Sequence, residues 1–221
     1  MSPCTFDAVR AALALPDFDG FAAQRRMMPA ARPVGRPLGM AGQPRLGAVL
    51  ALFYCADDAL TLVLTRRPDY GGVHSGQVSF PGGRHEPPET LEATALRETA
   101  EEIGVPPEEI EVLGVLTPLY ILPSDFEVHP FVGRARRGRP VFVAHEREVA
   151  EIVEAPFDLL LDPATRAEEE WDLRGLSMRV PFFLVGPHKV WGATAMMLSE
   201  LVERVRYVRM QGGGGEMRPA G

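Results

Sequence analysis

Residues 89–104, ETLEATALRETAEEIG, constrain this chain more than any other stretch. At about 100° per residue from Leu91, Ala93, Leu96, Ala100 and Ile103 fall in one arc, while Glu98, Glu101 and Glu102 fall in an arc nearly opposite. The segment therefore reads as a helix over Glu89–Ile103 with a core face and a carboxylate face, ended by Gly104 as a left-handed cap. The carboxylate face opposes its own helix. Glu98 with Glu102 is an i,i+4 like-charge pair and Glu98 with Glu101 an i,i+3 pair, each costing roughly 0.2–0.5 kcal/mol in an isolated helix. Both pairs lie in the last turns, where the macrodipole disfavours negative charge. A hard divalent cation resolves this conflict, because Mg²⁺ and Mn²⁺ prefer carboxylate oxygens and keep water or phosphate in their remaining positions. A solvated acidic face is the alternative, but a Gly-rich loop before the helix, a further Glu at its start and Arg97 beside the cluster favour the metal reading.

Around this helix the pattern is mixed. AVLALFY and LTLVLT, separated by Ala56-Asp57-Asp58, read as a hairpin, and Gln77–Phe80 as a third strand stopped by Pro81-Gly82-Gly83. Further strands are expected at Val112–Leu119, Val128–Val132, Val141–Ala144 and 178–184, with a short helix at Glu148–Val153 and a terminal amphipathic helix at Ala193–Val205. Strands and helices do not alternate strictly, so the expected class is α+β, a mixed sheet with helices packed on it. Residues 1–45, with a weak helical period at 5–15 and a Pro/Gly/Arg-rich run at 27–46, read as an N-terminal extension; 46–206 as the domain; and 207–221 as a flexible tail.

Composition removes several function classes. With 23 Lys+Arg against 30 Asp+Glu over 221 residues the formal charge is −7, which argues against a broad nucleic-acid or anionic-membrane footprint. Cys4 and Cys55 form neither a disulfide framework nor a zinc motif, and with no basic n-region at the start the expected location is the cytoplasm. No run of about 18 apolar residues marks a membrane span. The run of four glycines in the tail lacks the flanking strand and helix that a phosphate cradle needs.

Gly83, five residues, Glu89, seven residues, Arg97-Glu98, two residues, Glu101-Glu102, one residue and Gly104-Val105 together resemble the Nudix box. Thr99 departs from it, standing where that family usually has a bulky aliphatic residue. Upstream, LTRRPDYGGVHSGQVSFPGG at 64–83 is similar to the segment preceding the box in coenzyme A pyrophosphatases, as are HPFV, EVAEIVEAPFDLLL and VWGATAMML downstream, so the resemblance spans roughly residues 45–200. Pro68 and Gly72 depart from it, the latter standing where that subfamily usually has Arg.

The resemblance implies an α/β/α sandwich and a Mg²⁺- or Mn²⁺-dependent pyrophosphohydrolase. Its expected substrate is coenzyme A or an acyl derivative, cut to 3′,5′-ADP and a 4′-phosphopantetheine product. Another diphosphate, such as ADP-ribose or a dinucleotide, is the alternative that Gly72 motivates; a noncatalytic binding module is disfavoured because the carboxylate cluster is whole. Glu98 and Glu102, one turn apart, are the expected principal metal ligands, with Glu101 and the Gly83 carbonyl contributing. Glu98 is the first choice of base and Glu148 a candidate from a later loop. Arg97 is expected to orient the cluster by an ion pair with Glu89. Arg67, His74, Gln77 and Phe80, in the segment beside the box, are the expected substrate contacts. His129 and Trp191 read as structural, Arg134, Arg136, Arg137 and Arg139 as a solvated basic turn, and the extension at 27–46 as a surface compatible with a homodimer.

Overall fold

The computed structural model describes residues 3–30, 35–37, 40, 42–69, 76–173 and 175–212. Two short helices, α1 (Phe6–Leu13) and α2 (Gly20–Arg25), come first, capped by the Thr5 and Asp19 side chains. The chain continues through β1 (Arg45–Ala56), β2 (Ala59–Arg66), β3 (Val78–Ser79), β4 (Gly82–Arg84) and α3 (Leu91–Ile103), then β5 (Ile110–Val115), β6 (Leu119–Ile121) and β7 (Phe126–Ala135). It ends with β8 (Glu151–Pro156), α4 (Phe157–Leu161), β9 (Arg166–Leu173), β10 (Leu176–Val185), β11 (His188–Trp191) and α5 (Gly192–Gly212).

β1 organises the main sheet. It pairs antiparallel with β2 and β4 and parallel with β7, in a path β3-β2-β1-β7-β5 with β4, β6 and β8 attached to β1, β7 and β2. A parallel central strand buried on both faces needs a continuous apolar run, and LGAVLALFY supplies it. Its alternate residues feed two cores. Ala48, Leu50, Leu52 and Tyr54 pack with Ala95 and Ile103 of α3, whereas Ala51 and Phe53 join α1, α4 and α5 on the other face. The result is a mixed sheet between helical layers, with β9, β10 and β11 as a second antiparallel sheet.

Several expectations are corrected. Val141–Ala144 is no strand: Val141 and Val143 are 84% and 65% exposed in an extended segment without a sheet partner. Glu148–Val153 is a turn leading into β8 rather than a helix, because its apolar residues Val149 and Val153 are drawn into pairing with β2 and the core. The terminal helix runs on to Gly212, so 207–212 is not tail, and 213–221 lies outside the described residues. The N-terminal segment is more than a cover: Cys4, Val9, Ala12 and Met27 are buried in the core shared with α5. Most of the run at 31–41 lies outside the described residues, and the homodimer expectation with it.

Candidate active site

Pro81-Gly82-Gly83 brings β4 beside β1, and the next turn leads into α3. Gly82 has φ 150°, a conformation that L side chains rarely adopt, and a Cβ there would strike the β1 backbone. Gly83 lies directly against the Glu98 carboxylate, where any Cβ would overlap it. Its carbonyl faces Gly47 on β1, 2.8 Å from where a Cβ would stand. Gly83 thus reaches Glu98 through the space its missing side chain leaves.

α3 starts at Leu91, two residues later than the expected Glu89. Thr90 caps it by accepting from Ala93 N, and Gly104 ends it with φ 75° and ψ 13°. The buried face is Thr94, Ala95, Thr99, Glu102 and Ile103, not the arc of Ala93, Leu96 and Ala100 expected from the apolar residues. The carboxylates therefore border the core instead of opposing it, and Glu102 lies inside the buried stripe. Thr99 is fully buried and satisfied by donating to the Ala95 carbonyl at 2.7 Å.

Glu102 is 4% exposed, and its Oε2 has no hydrogen-bond partner among the described residues. Burial pushes its carboxyl up to about 7, the Glu98 and Glu148 charges add to this, and Arg67 and the Gly82 backbone oppose it. Glu98 is also raised, chiefly by burial and then by Glu101 and Glu148, against the pull of Arg97. An uncompensated carboxylate in such a place is costly, and a cation is the group that would offset the cost.

Arg97 holds the other carboxylates. Its Nε and Nη2 donate to Glu89 at 3.1 and 2.9 Å, its Nη1 to Glu98 at 3.0 Å and Glu101 at 3.2 Å, and Nη2 also to the Arg84 carbonyl. The paired guanidinium, with the Glu86 N–H and the Thr94 hydroxyl, holds the Glu89 carboxyl down at about 2. Thr94 connects this network to His85 Nδ1 at 3.0 Å. Glu101, 58% exposed at its side chain, stands on the rim. Among the described residues no three His, Cys, Asp or Glu side chains converge on one point; Glu98 and Glu102 lie deepest in the cluster, and Glu148, whose carboxylate stands 3.8 Å from His145 Nδ1, acts on both through its charge. A buried carboxylate with an unpartnered oxygen beside a partly buried second one fits Mg²⁺ or Mn²⁺, which prefer carboxylate oxygens.

The other expected residues are distributed unevenly. Arg67 acts on Glu102 through its charge and makes no ion pair among the described residues, since Asp69 is taken by Arg66 at 3.0 Å. The Arg67 N–H bonds the Gln77 carbonyl, which keeps Gln77 next to it. His74 lies outside the described residues. Phe80 is corrected: at 2% exposed it is part of the apolar core and offers no surface to a ligand. His129 bonds Glu127 at 3.0 Å, and Trp191 packs edge-on against Trp171. His85, which joins the Arg97 network through Thr94, carries no sequence signal of its own.

The NUDIX domain family profile matches residues 44–174. The Nudix hydrolase NudL of Photorhabdus laumondii is 35% identical over 171 residues, 77% of this chain and 90% of that protein. NudL of Yersinia pestis is 36% identical over 162 residues, 73% of this chain and 80% of its own length. Among solved structures, the M. smegmatis Nudix hydrolase RenU superposes with a TM-score of 0.51 at 17% identity, covering 77% of this chain and 88% of that one, which speaks for the fold.

Proposed function

The chain belongs to the Nudix family and is a Nudix hydrolase, and on that premise we propose that it cleaves the diphosphate of coenzyme A or an acyl-coenzyme A. The products are 3′,5′-ADP and 4′-phosphopantetheine or its acyl form. The observation that carries metal-dependent phosphoanhydride hydrolysis is the buried Glu102 carboxylate with an unpartnered oxygen beside Glu98. The similarity of residues 64–83 to coenzyme A pyrophosphatases supports the substrate. Gly72, where that subfamily usually has Arg, favours a second reading, another nucleoside diphosphate derivative such as ADP-ribose or a dinucleotide.

Glu98 and Glu102 would hold Mg²⁺ or Mn²⁺, with Glu101 from the rim and the Gly83 carbonyl contributing. When bound, the cation neutralises the diphosphate oxygens and acidifies a water. Arg67, without a competing ion pair among the described residues, binds a phosphate oxygen of the substrate. Glu98, against the space at Gly83, takes the proton of the attacking water, and Glu148 is the alternative base. Arg97 fixes the orientation of Glu98 and Glu89 without touching substrate.

A panel of coenzyme A, acyl-coenzyme A, dephospho-coenzyme A, ADP-ribose and NADH, with Mg²⁺ or Mn²⁺ and products identified by mass, tests this. Release of 3′,5′-ADP from coenzyme A that disappears in Glu102→Gln is the expected result. Equal turnover of dephospho-coenzyme A counts against the substrate, and turnover of ADP-ribose alone moves the assignment to the second reading.

A further inference from the structure

The segment between β7 and β8 has no regular structure, yet it is tied down along its length. At its start Arg139 donates from Nε and Nη2 to the two carboxylate oxygens of Glu154 at 2.7 Å each, and the Tyr54 hydroxyl bonds the same carboxylate. The guanidinium lies 5.1 Å from the Phe142 ring centroid, and Phe142 packs beside Tyr54 in the core under α3. The next residues close the end of α3. Val143 N–H donates to the Ile103 carbonyl and His145 N–H to the Glu102 carbonyl, both at 2.9 Å, filling two acceptors that a helix C-terminus leaves open. Gly104 permits this approach, since a Cβ there would come within 2.9 Å of Val143 Cβ. The His145 carbonyl then receives the N–H groups of Glu148 and Val149, and Ala150 N–H bonds Arg66 on β2.

We propose that residues 139–150 are a positioning strap, anchored by Arg139 on Glu154, that sets Glu148 against the carboxylates of α3. This rests on the reading of Glu148 as part of the reaction. The physical point is continuity: the residue that caps Glu102 is the same one that turns the chain to present Glu148, so the backbones of Glu102 and Glu148 are both bonded to His145, the first through its N–H and the second through its carbonyl. Arg139 touches neither substrate nor metal ligand and is a positioning residue. A bidentate arginine pair fixes orientation as well as distance, which a lysine at 139 reproduces only in part. Loosening it lets Glu148 drift by a distance that is small on the scale of the fold and large on the scale of proton transfer.

The test compares Arg139→Ala, Arg139→Lys, Glu148→Gln and the double variant Arg139→Ala/Glu148→Gln. Without substrate, the Val143 and His145 amides of Arg139→Ala exchange with deuterium about tenfold faster, while α5 amides are unchanged. On whichever diphosphate the unaltered enzyme turns over, kcat of Arg139→Ala falls about tenfold with KM within about twofold. Arg139→Lys recovers part of the loss, and the double variant is no slower than Glu148→Gln. Unchanged exchange at Val143 and His145 overturns the anchor. Faster exchange with unchanged kcat overturns the positioning role, and a full multiplied loss in the double variant shows that Arg139 does not act through Glu148. The exchange measurement needs no substrate, so a failure of the coenzyme A assignment is distinguishable from a failure of the strap.

Discussion

Glu102 and Glu200 are the two buried glutamates among the described residues, at 4% and 0% exposed, and their surroundings are opposite. Glu200, on α5, accepts from Gln24 Nε2 at 2.9 Å, Thr117 N and Oγ1 at 3.1 and 2.9 Å, and Arg204 Nε at 2.9 Å. Gly20 leaves the space for that arrangement, because a Cβ there would overlap Thr117 and Glu200. Glu102, on α3, keeps one oxygen without a partner among the described residues and feels the charges of two other carboxylates, Glu98 and Glu148. The first is a carboxylate whose partners the fold provides, joining α2, the β5–β6 connection and α5. The second has been left incomplete. A buried charge with all its donors is architecture; one without them marks where a ligand completes the structure.

The largest effect that would separate the two is Glu102→Gln, which is expected to lower kcat by on the order of 10³-fold, about 4 kcal/mol of barrier, while leaving metal-free stability unchanged or raised. Steady-state kinetics and urea melts in chelator check both halves, and a large loss of stability would make Glu102 a structural residue like Glu200. Next, Mn²⁺ at about 100 times its Kd should stabilise the wild type by about 2.7 kcal/mol and Glu102→Gln far less. Thermal melts with and without Mn²⁺ read this, and equal stabilisation of both proteins would remove Glu102 from the ligand set.

Gln24→Ala is the converse. It removes a donor from buried Glu200 and should cost about 1–3 kcal/mol in urea unfolding with kcat of the folded enzyme unchanged. A drop in kcat without loss of stability would mean that the α2–α5 junction communicates with the site. The smallest expected effect concerns Glu89, whose carboxyl is held at about 2 by Arg97 against an ordinary 4.5. Its folded value is depressed, so its contribution is full above pH 4.5 and is lost as pH falls toward 2. The stability gap between wild type and Arg97→Ala should therefore narrow over that interval in denaturant titrations, and a gap constant with pH would show that the pair is energetically silent.

Much of this site is legible in the chain. The Glu98, Glu101 and Glu102 spacing fixes which side chains can share one side of a helix, and the run AVLALFY, closed by a turn-like Ala-Asp-Asp, reads as the buried strand it is. Apolar periodicity misplaced the buried face of α3, because it counts Ala93 and Ala100 as core and cannot see that Thr99 bonds its own helix or that Glu102 is drawn inward. The Val-Phe-Val of 141–143 has strand composition but no strand beside it, and the Val143 N–H is used instead on the end of α3. Phe80 sits among site residues in sequence and is buried in the core that α1 and α5 share, which only the tertiary packing decides.

Sequence by itself determined the family, the carboxylate set and its order along one helix, because those are matters of residue type and local period. Which carboxylate is buried, that Arg66 pairs with Asp69 while Arg67 makes no ion pair among the described residues, that the charge of Glu148 comes to bear on Glu102, and that the N-terminal helices join the core were decided by the tertiary structure alone. Burial and ion pairing arise between segments tens of residues apart, and the energy of a charge is set by what surrounds it rather than by what adjoins it in the chain.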